Sequence, residues 1–124
     1  MKANFALIAL LFACSSAFAV SICKNSDYTK GFLESSEETA RQMGYNTKTK
    51  CEGDTFYITY YFDDKDAFAQ IRLNSQEIAK EAEPVCKFFD ASLEFVSAES
   101  KTQYTGNLIF IYEYKGQQIK FPCK

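Results

Sequence analysis

Histidine is absent from this chain of 124 residues, tryptophan is absent as well, and Arg41 and Arg72 are its only arginines. Each shortage excludes something. Without histidine a serine or cysteine nucleophile has no imidazole base beside it, and zinc loses one of its usual protein ligands. Without a C-x-x-C pair there is no thioredoxin-like redox motif and no zinc ribbon. Lysine supplies all the other cations and acids outnumber bases, 16 to 14. That balance, with so few guanidinium forks, argues against nucleic acid or an anionic membrane surface as partner. No N-x-S/T sequon occurs, which favours a bacterial envelope over a eukaryotic secretory setting. Beyond the first residues no apolar run approaches the ~20 residues that a membrane-spanning helix needs. No repeat, low-complexity tract or Pro/Gly linker divides the chain.

What is present begins with an export signature. Lys2 forms a one-charge n-region, Phe5 to Ala13 an apolar stretch too short to span a bilayer, and Ala17-Phe18-Ala19 an A-x-A cleavage site. Residues 1–19 are therefore expected to be a signal peptide and residues 20–124 a single exported domain. Losing Lys2 leaves 13 cations against 16 acids, a net charge of −3. Leu11-Phe12-Ala13-Cys14 resembles a lipobox, which would make an envelope lipoprotein lipidated at Cys14. Phe12 fits that motif poorly, and the A-x-A site suits ordinary cleavage better.

Four cysteines remain: Cys23, Cys51, Cys86 and Cys123. An even number in a short exported domain reads as two disulfides. Three connectivities are open. Cys23–Cys51 with Cys86–Cys123 is favoured, because each bridge would then tie a helical segment to the strand region after it. Each would contribute about 2–4 kcal/mol.

The strongest local signal is a C-terminal β-hairpin. Asn107 to Tyr114 and Gln117 to Cys123 flank a two-residue Lys115-Gly116 turn, which leaves little slack in register. Tyr112 then faces Ile119 and Phe110 faces Phe121 on one side of the ribbon. Ile109–Pro122 and Ile111–Lys120 fall on the other.

Upstream, Tyr28, Phe32, Leu33, Ala40 and Met43 follow a helical stripe, and Gly44 is a good residue just past its end. Ser35-x-x-Glu38 has the form of a capping box, so a separate helix is expected from 36. Asn46 to Lys50 reads as a polar loop. Asp54 to Phe62 alternates as a strand, with Phe56, Ile58, Tyr60 and Phe62 on one face. After an Asp63–Asp66 turn, Ala67 to Leu73 reads as its hairpin partner. Asn74, with Glu77 as the capping-box acid and Leu73 stapled to Ile78, opens a second helix that Pro84 should kink or end. Ser92 to Ser97 reads as a strand and Ala98 to Thr105 as a loop. The expected fold is α+β, an antiparallel sheet of about five strands with two helical segments on one face, in the order α-β-β-α-β-β-β.

No residue cluster points to a metal or cofactor, and none is expected. Asp63, Asp64 and Asp66 lack the alternate spacing of a calcium loop and read as a solvated turn. Sixteen acids make a glycosidase carboxylate pair formally possible, but no two are marked as buried partners, so the chain reads as non-enzymatic. Aromatics are the informative surplus. If both helices cover one sheet face, Tyr57, Tyr61, Ile109 and Ile111 point out of the other and form a candidate partner-binding surface. If the helices split across both faces, those residues belong to the core. Two functions remain open. One is a protein-binding module in the periplasm or outside the cell: an inhibitor, immunity factor, adaptor or assembly subunit. The other is a carrier for a small ligand or carbohydrate. An apolar pocket would favour the carrier and a flat apolar patch the binder.

Overall fold

The computed structural model describes residues 19–124; the expected leader before Ala19, including Cys14, lies outside them. A two-residue strand β1 (Val20–Ser21) and a 3-10 turn (Ile22–Lys24) lead into helix α1 (Ser26–Gln42). Strands β2 (Asn46–Glu52) and β3 (Thr55–Tyr61) follow, then helices α2 (Lys65–Leu73) and α3 (Ser75–Ser100). The chain ends in β4 (Tyr104–Thr105), β5 (Asn107–Tyr114) and β6 (Gln117–Pro122).

The class is α+β, as expected, but the sheet is mixed rather than antiparallel. Its four strands run in the order β2-β3-β5-β6, while β1 and β4 form a separate parallel pair. β3 and β5 are parallel because the α2–α3 excursion carries the chain back to the end where β3 began, the crossover that parallel pairing requires.

The C-terminal hairpin has the expected register: Ile109 opposite Pro122, Phe110 opposite Phe121, Tyr112 opposite Ile119. Lys115 and Gly116 have φ of 45° and 83°, the double left-handed turn whose twist matches that of the strands it joins.

Three expectations fail. Residues 67–73 form helix α2, not a strand. Asp64 Oδ1 accepts the Asp66 N–H at 2.9 Å and starts it, and Phe68 with Ile71 then faces the core at helical spacing. Residues 92–97 continue α3. Phe89 and Leu93 are buried while Phe95 is exposed, the period of a helix and not of a strand. Residues 46–52 pair with β3 as a strand, joined by the Gly53-Asp54 turn.

Caps also differ from expectation. α1 is continuous from Ser26, its start capped by Asn25 Oδ1, which accepts the Tyr28 N–H at 3.0 Å. It ends as expected at Gly44, whose N–H donates to the Arg41 carbonyl while that of Tyr45 donates to Ala40, both bonds of a Schellman motif. Asn74 makes no side-chain cap for α3. Its amide donates instead to the Gln70 carbonyl at 2.9 Å, and Leu73 stays exposed, so the expected staple is absent. α3 runs through Pro84 without ending. The Lys80 carbonyl, which loses its donor there, lies on the exposed side where water can serve it.

All three helices pack on one face of the sheet. Ile22, Phe56, Leu108 and Phe89 form the tightest part of the core there, joined by Phe110, Phe121 and Leu93. Both bridges are Cys23–Cys51 and Cys86–Cys123, each with Cα atoms 5.5 Å apart. Cys51 sits on edge strand β2 and Cys123 just beyond edge strand β6.

Candidate functional site

The helix-covered face is filled at one end and open at the other. At the filled end α1 and α3 meet: the Phe32 and Phe89 rings pack edge to face at 5.8 Å, and Ser92 Oγ donates a 3.0 Å hydrogen bond to Tyr28 Oη. Beyond that meeting point the C-terminal half of α1 and the N-terminal half of α3 part. A cleft of about 610 Å³ opens between them above the sheet.

Each element supplies what its pattern allows. The sheet floor is Ile58 and Tyr60 of β3, Phe110 and Tyr112 of β5 and Phe121 of β6, the inward positions of those strands. One wall is Ser35, Ser36 and Thr39 of α1, with its C-cap Met43 and then Tyr45 just beyond it. The other is Ile78, Glu81, Ala82 and Val85 of α3, four positions of one helical stripe. α2 closes one end with Ile71. Met43 and Val85, at 65% and 47% exposed, mark the open rim.

The floor is an aromatic surface. Tyr60 and Tyr112 stack at 5.1 Å with planes 16° apart. Phe121 meets Tyr112 edge to face at 5.5 Å. Tyr45 stands at 82° to Tyr60, with centroids 5.8 Å apart. Burial pushes the Tyr112 phenol up to about 12, with Tyr60, Tyr45 and the Glu81 carboxylate adding to the shift. Burial, and secondarily Tyr45, raises Tyr60 as well. These phenols are therefore neutral donors at any physiological pH.

The two cystines tie the two long helices to the sheet. Cys23–Cys51 ties the entrance of α1 to one edge of the sheet, and Cys86–Cys123 ties the middle of α3 to the other. Cys86 adjoins Val85 of the α3 wall, whereas Cys23 precedes α1, at the helix end away from the Ser35, Ser36 and Thr39 wall.

The residues expected to form a partner surface lie on the opposite face, which no helix of the described residues covers. Register places Tyr57 beside Ile109 and Tyr61 beside Glu113. Tyr61 is exposed, Tyr57 and Ile109 are half-buried, and Ile111 is only 6% exposed. Ile111 lies between Thr59 on β3 and Lys120 on β6. The Lys50 ammonium sits over the Tyr57 ring at 5.4 Å. The row is thus interrupted by polar groups and is not a continuous apolar patch.

Sequence reasoning assigned Tyr60, Phe62 and Tyr112 to the core face and stopped there. The overlooked signal is the phenol itself. Inward positions that are tyrosine toward one end of both central strands mark the part of the face that is not fully packed. Asp63, Asp64 and Asp66 prove to be the approach and first turn of α2, with Asp64 its cap. Among the described residues no cluster of three or more Cys, Asp or Glu side chains has the arrangement of a metal site. No helix among them is long and apolar enough to cross a membrane.

No family model matches the chain, and no curated protein or solved structure matches it.

Proposed function

We propose that this protein is a small exported, non-enzymatic binder of a small, largely apolar ligand, held in the cleft between α1 and α3. One observation carries the reading: a cleft of about 610 Å³ with an aromatic floor and mostly apolar walls. Small-molecule sites commonly have volumes of roughly 300–1,000 Å³ and apolar linings with a few convergent polar groups. The hydroxyls of Ser35, Ser36, Thr39 and the tyrosines are those polar groups here. The two intramolecular disulfides are compatible with an oxidising compartment, which supports export to a periplasm or the cell exterior.

Titration with the neutral fluorophore N-phenyl-1-naphthylamine tests the reading. Saturable enhancement at one site is expected, and it should disappear when Ala82→Phe fills the cleft from the α3 wall. Absence of enhancement, or enhancement that Ala82→Phe leaves untouched, would count against the cleft as a ligand site.

A protein-binding role on the outer sheet face is the second reading, favoured by Tyr61 and Tyr57 lying on a face that no described helix covers. Changing both tyrosines to serine should then abolish capture of a partner while leaving the unfolding midpoint nearly unchanged. A loss of several kcal/mol would instead mark them as structural.

A further inference from the structure

We infer that the ligand of the α1/α3 cleft is an organic cation with an apolar body, its charged head held between the Tyr45, Tyr60 and Tyr112 rings and the Glu81 carboxylate. This rests on the reading of the cleft as a small-ligand site and goes further by assigning the ligand a charge.

Charge complementarity is the first argument. Among the described residues lining the cleft, Glu81 is the one charged side chain, and none is lysine or arginine. Lysine is spread over the rest of the fold, at Lys48, Lys50 and Lys120 on the outer sheet face for example. An anionic ligand such as a fatty carboxylate would find no counter-charge in the cleft and a like charge at its wall. A cation finds the opposite.

Ring geometry is the second. Tyr60 and Tyr112 are stacked with nearly parallel planes, and Tyr45 stands almost perpendicular to Tyr60. Two ring surfaces at a right angle form the corner of an aromatic cage, and the electron-rich faces of such rings attract ammonium groups within about 6 Å. Glu81 lies on the opposite wall of the same cleft, and its carboxylate is one of the groups that raise the phenol of Tyr112, the ring stacked on Tyr60. The rest of the cleft, toward Ile78, Ala82 and Phe110, offers an apolar bed for the body of the ligand.

The test uses three probes of one alkyl length, octyltrimethylammonium, octanol and octanoate, titrated into the disulfide-intact protein and followed by 1H–15N chemical shifts. The ammonium probe should bind at least tenfold more tightly than the other two and move the amides of Tyr45, Tyr60 and Tyr112. Glu81→Gln and Tyr45→Leu alter exposed side chains and should each cut the ratio of ammonium to octanol affinity severalfold. Octanol or octanoate binding in the cleft as tightly as the ammonium probe would overturn the cation assignment while leaving the cleft reading intact. Shifts from the ammonium probe that map away from the cleft would overturn the assignment as well. If none of the three probes shifts the cleft residues, both readings fall.

Discussion

Phe32 of α1 and Phe89 of α3 meet edge to face at 5.8 Å, and both rings also pack on Phe56 of the central strand β3, at 4.3 and 5.9 Å. This three-ring contact is where the two long helices touch. On one side of it the core is closed over Ile22 and Leu108. On the other the helices diverge and the cleft begins. Edge-to-face pairs add about 0.5–1.5 kcal/mol beyond the area they bury, so the contact works as a pivot holding the helices at one end while the other end stays open.

Phe89→Ala should therefore cost about 3–5 kcal/mol of stability, measured by urea unfolding. Its sequence neighbour provides the control. Phe88 is 76% exposed against 2% for Phe89, and Phe88→Ala should change stability by less than about 0.5 kcal/mol. Similar losses at both positions would contradict the placement of Phe89 in the core and Phe88 in solvent.

Gly106 faces the same cluster from the loop before β5. A Cβ there would stand 2.8 Å from Ile22 Cγ2 and 3.3 Å from Phe89 Cζ, and Ile22 is fully buried. Gly106→Ala should cost about 1–3 kcal/mol through overpacking. Gly31, in the interior of α1, has nothing within 4 Å of the same added atom. Gly31→Ala should stabilise the protein by about 0.5–1 kcal/mol through helix propensity. Thermal midpoints moving in opposite directions for the two variants would bear this out.

Each cystine closes a long loop, with sequence separations of 28 and 37 residues, for which chain entropy gives about 3.5–4 kcal/mol. Reduction and alkylation of all four thiols should lower the unfolding midpoint markedly. The double change Cys86→Ala with Cys123→Ala should in addition weaken probe binding in the cleft, because it frees the α3 wall from the sheet edge. An unchanged midpoint after complete alkylation would show that the bridges do not stabilise the fold.

Stability should fall in strong base for a reason local to the cleft. The Tyr112 phenol is raised from 10.0 to about 12 in the folded protein, chiefly by burial. A raised pKa means the folded state keeps its proton after the unfolded state has lost it. The associated stabilisation is thus full below about pH 10 and disappears as pH climbs from about 10 to about 12. Tyr112→Phe should flatten the decline of the urea midpoint over that interval, measured promptly to protect the disulfides. An equal decline in both proteins would show that the phenol contributes nothing to it.

The C-terminal hairpin was legible residue by residue because every determinant is local. A two-residue turn leaves one register, and side-chain alternation then decides which residues share a face. β3 was legible for the same reason, its alternation being regular, and so was the helical stripe of α1, but the Ser35-x-x-Glu38 pattern suggested a break where one continuous helix runs. The segments at 67–73 and 92–97 were not legible. In the first, Ala67, Ala69, Ile71 and Leu73 alternate like a strand, yet the Asp64 cap and the burial of Phe68 favour a helix that leaves Leu73 in water. In the second, Leu93, Phe95 and the residues between them mimic alternation, and only the continuity of α3 beneath Phe89 decides otherwise. Asn46 to Glu52 carries Thr47, Thr49 and Cys51 inward and Lys48 and Lys50 outward. So little apolar surface gives no strand signal by itself; the open edge of β3 supplies the hydrogen bonds that make it one.

What the sequence alone determined is what short-range chemistry can settle: the α+β class, the terminal hairpin and its register, and four cysteines suited to two bridges. The cleft was decided only by tertiary structure. It exists because two helices that touch at Phe32 and Phe89 part beyond that contact and leave the aromatic sheet floor uncovered between them. That divergence depends on contacts between residues far apart in the chain, and no local pattern records how far apart two helices will stand.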